Sequence, residues 1–297
     1  MQQGLRGVIA AIATPIGPEG APDAARALRL ARHLLDHGCD GLNVLGTTGE
    51  ATSFSVAERM SLMTAYRANA MPMSRLMVGT GAAALSDAVT LTRHAAELGF
   101  AGALVLPPFY YKGVPDDGVL HYLGALVEAT AATSLPIYLY HFPALSGVPW
   151  HLGLVRRAID LFGARIAGLK DSSGDMPYAR EAAKIAPGFA VFPSNEATLL
   201  EGRGGLFAGC ISATANCNAD FCARAWREGD AAALARAVAI RKLFENKPLV
   251  PGVKSLLAHI HHDPALGTVK PPLAALTEGD RSAILAGYAA VARSEGP

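Results

Sequence analysis

Eight short apolar runs, "GVIAAIAT", "GLNVLG", "RLMVGT", "GALVLP", "LPIYLY", "RIAGLK", "FAVFPS" and "LFAGCIS", recur between residue 7 and about residue 211, separated by longer amphipathic, alanine-rich stretches. Runs of this length read as strands, and their alternation with helical stretches is the pattern of repeated βα units around a parallel sheet. Helices are expected near 22–37, 55–70, 86–98, 117–132, 150–162, 177–186 and 196–203. Eight strands with seven intervening helices favour an α/β fold closed on itself, a (β/α)8 TIM barrel with additional C-terminal helices. An open, doubly wound sheet is the alternative, because a strand count does not prove closure.

Local signals sharpen the boundaries. Ser55 followed by Glu58 reads as a capping box, Ser86 ahead of "DAVTLTRHAAEL" reads as a second cap, and Gly38 and Gly99 read as helix stops. Past about residue 218 the strands cease, and "ADFCARAWREGDAAALARAVAIRKLFEN", "GVKSLLAHIHH" and "GDRSAILAGYAAVARSEG" all read as helical. The expected division is a barrel core over 1–218 and a helical region over 219–297, packed on the barrel or on a neighbouring subunit with no linker between. A length of 297 residues suits one domain of this class, since α/β barrels commonly run to about 250 residues.

Composition removes several classes. A formal net charge of +1 with 17% charged residues offers no basic footprint for nucleic acid. The N-terminus lacks the layout of a secretory signal, no apolar run reaches the roughly 18 residues that cross a bilayer, and a soluble cytoplasmic protein is expected. Cys39, Cys210, Cys217 and Cys222 form no CxxC pair, which fits a reducing compartment. "HIHH" at 259–262 lies in the helical tail with adjacent histidines pointing apart, so no metal is expected there.

In such a barrel the chemistry sits where strands end at their C-terminal edge. Lys170 closes the apolar sixth run: it is either a snorkelling lysine whose head reaches water, or an amine desolvated in a pocket, where attack on a carbonyl becomes feasible. Tyr140 ends the fifth run beside it, and period-two alternation puts Tyr138 on the same face but deeper, as a packed aromatic. "GTTGE" after the second run places Gly46, Thr47 and Thr48 in a strand-to-helix turn able to hold a carboxylate or phosphate, without the spacing of a P-loop.

Taken together, "GTTGE", "FYY" after "PP", "YHFPALSG" and "GLKDSSGD" resemble, in order and spacing and over nearly the whole chain, the dihydrodipicolinate synthase and N-acetylneuraminate lyase family of class I pyruvate aldolases. The resemblance implies a barrel with extra C-terminal helices and a homotetramer built as a dimer of dimers. Lys170 would form a Schiff base with pyruvate or another 2-oxo acid, with no cofactor. Tyr140 would be the acid/base group, Thr47 and Thr48 would hold the carboxylate and join a proton relay, and Tyr110 would complete that relay across a subunit interface. Ile211 matches a position whose backbone carbonyl faces the site, and Gly46 and Ser172 fall within the matching segments.

Two departures bear on the second substrate. Leu145 stands where the synthases carry an arginine that holds the carboxylate of the aldehyde partner, and a leucine makes no charge-assisted bond. The segment "PALSG" is closer to the branch that cleaves 2-keto-3-deoxy sugar acids. There the acidic "GYDE" segment of sialic acid lyases is replaced by "PSNEATL", whose Asn195 and Glu196 are expected to bind substrate hydroxyls. The reading is a lyase acting on a 2-keto-3-deoxy sugar acid or related substrate. Dihydrodipicolinate synthesis, dehydration of a 2-keto-3-deoxy acid and a non-catalytic keto-acid sensor are the alternatives.

Overall fold

A computed structural model describes residues 4–293. Its strands are β1 (Gly7–Ala11), β2 (Gly41–Val44), β3 (Leu76–Gly79), β4 (Gly102–Val105), β5 (Ile137–His141), β6 (Ile166–Asp171), β7 (Ala190–Pro193) and β8 (Gly209–Ser212). Each strand from β1 to β6 pairs in parallel with the next, and β1 also pairs with β8. The last seam is bridged where the Ala208 N–H donates to the Val191 carbonyl at 2.9 Å, so the sheet is a barrel and not an open layer.

Alternation along the strands sorts side chains into two cores. On β1, Val8 and Ala10 face the outer helices, while Ile9 and Ala11 face the barrel interior with Met77, Leu104, Tyr138, Phe192 and Ile211. Tyr138 fits inside because its neighbours are glycines: a Cβ on Gly102 would come within 2.6 Å of its ring, and one on Gly168 within 2.9 Å. Tyr138 is therefore the packed aromatic expected of it.

The capping box at Ser55 and Glu58 is present at the head of helix Val56–Ala68, and Gly99 caps helix Leu85–Leu98 in the left-handed region at φ 79°. Ser86 is not a cap. Helix Leu85–Leu98 begins one residue earlier, behind Ala84, with no side-chain cap, and the Ser86 carbonyl accepts from the Thr90 hydroxyl inside the first turns. The tail begins with helix Ala215–Glu228, which completes the eighth βα unit. Gly229, at φ 77°, and the N-cap Asp230 then break what read as one long helix, and helices Ala231–Lys242, Leu249–Ile260 and Glu278–Arg293 follow. Among the described residues, no helix is long and apolar enough to cross a membrane.

Candidate active site

The register of β5 on β6 sets Tyr140 level with Lys170, both one residue short of their strand ends. Lys170 is 3% exposed and donates from Nζ to the Tyr140 hydroxyl at 3.2 Å. That hydroxyl lies 3.1 Å from Thr47 Oγ1 at the end of β2. Amine, phenol and threonine thus form one unbroken chain across the mouth. Burial alone would raise the Tyr140 phenol, but the Lys170 charge and hydrogen bonding by Thr47, Ser172 and Lys170 outweigh it and hold the phenol below its ordinary range. Such a phenol gives up and takes back a proton more readily than a free tyrosine.

The turn carrying Thr47 is tightly built. Leu45 and Glu50, both at φ 53°, bracket it in the left-handed region, where non-glycine residues are uncommon and costly. Gly46 and Gly49 allow the close approach: a Cβ on Gly46 would meet Asn43 Nδ2 at 2.4 Å, and one on Gly49 would meet the Ile12 carbonyl at 3.1 Å. Thr48 is buried in this turn. The brace comes from the far end of the chain. Lys254, on helix Leu249–Ile260, donates to Glu50 Oε1 at 2.5 Å and to the Thr14 carbonyl at 2.9 Å, and the Lys270 N–H donates to Glu50 Oε2 at 2.8 Å. Burial draws the Lys254 ammonium below its usual range, while Glu50 opposes that shift.

A cavity of about 250 Å3 opens beside this chain. Its floor and walls include Gly46, Thr47, Tyr140, Leu104, Leu106, Phe109, Phe142 and Leu145, together with Arg59 of helix Val56–Ala68. Arg59 is 4% exposed, and its Nη2 donates to the Gly79 carbonyl at 2.9 Å and to the Gly81 carbonyl at 3.4 Å. A larger depression of about 830 Å3, lined by Leu5, Arg6, Phe189 and Phe207 among others, lies at the opposite, N-terminal ends of the strands and contains none of the residues expected to act on substrate.

The remaining expected residues are placed as follows. Ile211 lies on β8 in the interior core, and Ser172 follows β6 beside the phenol. Asn195 is used as a cap, accepting from the Ala197 N–H at 3.0 Å. Glu196 is not brought to the mouth: it is fully buried under β8, accepting from Ser212 Oγ at 2.7 Å, from the Thr214 hydroxyl and from Arg241 Nη1 at 3.0 Å. A carboxylate satisfied on this many sides is a tether for helix Ala231–Lys242 and leaves no oxygen for a substrate hydroxyl. Tyr110 is 74% exposed, edge-on to the 72% exposed Tyr111.

Sequence reasoning misses Lys254 and Arg59. Each sits in an ordinary amphipathic helix, and the signal available was a basic residue on the buried face of that helix.

A barrel with a buried lysine, a tyrosine with lowered pKa and a glycine-rich turn at the C-terminal mouth has the form of a lyase active site. The model of the dihydrodipicolinate synthetase family matches residues 4–287, and the chain belongs to that family. An uncharacterized DapA-like lyase of Chloroflexus aurantiacus is 33% identical over 289 residues, spanning 95% of this chain and 96% of that protein. A 4-hydroxy-tetrahydrodipicolinate synthase of Synechococcus is 30% identical over 292 residues, spanning 93% and 92%. Dihydrodipicolinate synthase of Agrobacterium tumefaciens superposes with a TM-score of 0.91 at 28% identity, over 97% of this chain and 99% of that one. A variant of the 2-keto-3-deoxygluconate aldolase of Sulfolobus solfataricus, at 18% identity, shares the fold with a TM-score of 0.85 over 96% of each chain.

Proposed function

We infer that the chain reversibly makes or breaks a carbon–carbon bond next to a 2-oxo acid of the pyruvate type, through an imine on Lys170. The observation that carries this reading is the continuous chain Lys170–Tyr140–Thr47, with links of 3.2 and 3.1 Å. The neutral amine of Lys170 attacks the C2 carbonyl. Tyr140 protonates the departing hydroxyl of the carbinolamine, and water leaves. The protonated imine then accepts the electron pair of the C3–C4 bond as Tyr140, relayed through Thr47, takes the proton of the C4 hydroxyl. The aldehyde departs, C3 of the enamine is protonated, and hydrolysis of the imine frees pyruvate and the amine. The substrate class is a 4-hydroxy-2-oxo acid, the group to which 2-keto-3-deoxy sugar acids belong. Leu145 weighs against the aldehyde used by the synthases.

Thr48, Gly46 and the carbonyl of Ile211 are assigned to the 2-oxo acid. The exposure of Tyr110 and Tyr111 supports a second copy seated over this rim, as in a dimer of dimers, and the compartment fitting the free cysteines is the cytoplasm.

The test is intact-mass spectrometry after borohydride reduction in the presence of pyruvate. Wild type is expected to gain one reduced pyruvate adduct and Lys170→Ala none. No adduct on the wild type would remove the imine and leave a ligand-binding protein without turnover.

A further inference from the structure

Arg59 is a buried cation with no carboxylate in contact: Asp87, on helix Leu85–Leu98, acts on it only through space. Among the described residues no Asp or Glu forms an ion pair with it, and none lines the cavity that it faces. Among the described residues, Nη2 is engaged by two carbonyls, Nε is buried without a partner, and Nη1 makes no hydrogen bond. Charges are seldom buried with so little direct pairing, since burial forfeits hydration and a carboxylate at a distance returns only part of it. The guanidinium is nonetheless charged at neutral pH: burial brings its pKa down only to about 10.

Its position gives that charge a use. Arg59 is the one cation among the residues lining the 250 Å3 cavity, and it shares that cavity with Thr47 and Tyr140 on the reaction side and with Leu145 on the rim. The remaining wall is largely hydrocarbon from Leu104, Leu106, Phe109 and Phe142. A polyol chain would leave hydroxyls unpaired against such a surface. A short hydrocarbon chain ending in an anion would place its apolar part on the leucines and phenylalanines and its charge on the free guanidinium nitrogens. At about 30 Å3 per water, the cavity holds roughly eight waters, room for a small aldehyde.

Building on the imine reading above, we propose that Arg59 is the anchor for an anionic group on the aldehyde half of the substrate, supplying from helix Val56–Ala68 the charge that Leu145 does not supply from the β5 loop. The recognised group is a carboxylate or a phosphate carried on a mostly apolar chain. Arg59 is then a specificity-determining residue that touches the second substrate but not the 2-oxo acid.

The experiment measures kcat/KM for condensation of pyruvate with four aldehydes: succinic semialdehyde and its neutral counterpart butanal, and glyceraldehyde 3-phosphate with neutral glyceraldehyde. Wild type is expected to favour at least one anion over its neutral partner tenfold or more, and which pair shows the preference identifies carboxylate or phosphate. Arg59→Met should remove that preference through KM, with the neutral aldehydes changed less than threefold. Arg59→Gln, neutral but still polar, should remove it equally. A merely structural arginine would instead lower all four substrates together, or be rescued by Arg59→Gln. Pyruvate trapping by borohydride is run on every sample. A wild type that traps no pyruvate fails the imine reading itself, and with it this assignment. A wild type that traps pyruvate but shows no anion preference, or whose preference survives in Arg59→Met, refutes the role of Arg59 alone. If both variants lose trapping, the wild-type ratio decides: tenfold or more supports the anchor, and a ratio near one overturns it.

Discussion

Replacing Lys254 by methionine removes the ammonium that neutralises Glu50 without emptying the space it fills. Both side chains are fully excluded from solvent, and their charged atoms are 2.5 Å apart. After the substitution Glu50 keeps one of its two donors, the Lys270 N–H at 2.8 Å, and its Oε1 faces no cation. The Thr14 carbonyl also loses its donor at 2.9 Å. Breaking one partner of a buried pair in this way costs about 3–5 kcal/mol, because the remaining carboxylate is left charged in a poor solvent. For a chain of this size about 2–4 °C of melting temperature accompanies each kcal/mol, so a fall of roughly 10 °C is expected in thermal unfolding followed by circular dichroism. Adding Glu50→Gln should restore most of the loss, since the amide oxygen still accepts from the Lys270 N–H and no charge remains to be neutralised. The function should follow the fold: Glu50 closes the turn bearing Thr47, so Lys254→Met should also slow pyruvate adduct formation at temperatures where it is fully folded. A melting point within about 2 °C of wild type, or a double variant as unstable as the sum of the singles, would refute the view that this pair is held by mutual neutralisation.

Tyr140→Phe keeps the ring in the interior core and deletes the proton carrier; turnover should fall by about 10² to 10⁴, while borohydride trapping with pyruvate still yields an adduct. Normal turnover in this variant would remove Tyr140 from the acid/base role. Acid stability offers a check on another buried group. His141 accepts the Trp150 N–H at Nδ1 over 2.9 Å, stacks on Tyr178 and is brought down by burial to about 4. The unfolded imidazole binds its proton near pH 6.5, so stability present above that pH is lost as the pH falls from 6.5 toward 4, by at most about 3 kcal/mol. His141→Gln should flatten that part of a stability curve measured by urea denaturation; an unchanged acid slope would show that other groups carry it.

Features written in short periods were legible in the chain before it folded. The apolar runs named all eight strands, because a strand buried on both faces shows as an uninterrupted hydrophobic run, and the capping box at Ser55 and Glu58 needs only four consecutive residues. Lys170 and Tyr140 were legible for the same reason: each interrupts an apolar run near its end, and parallel neighbours bring such ends level. Where a local signal had competitors, it misled. Ser86 resembled a cap but fell inside a helix that the preceding loop starts earlier, and Glu196 sat in a loop beside the mouth yet was drawn under β8 by Ser212, Thr214 and Arg241. The pairing of Glu50 with Lys254, across 204 positions, and the meeting of Arg59 with Tyr140 and Leu145 in one cavity have no local signature. They exist because the barrel closes and the tail docks against it, and a charge becomes unusual only once burial has taken away its water.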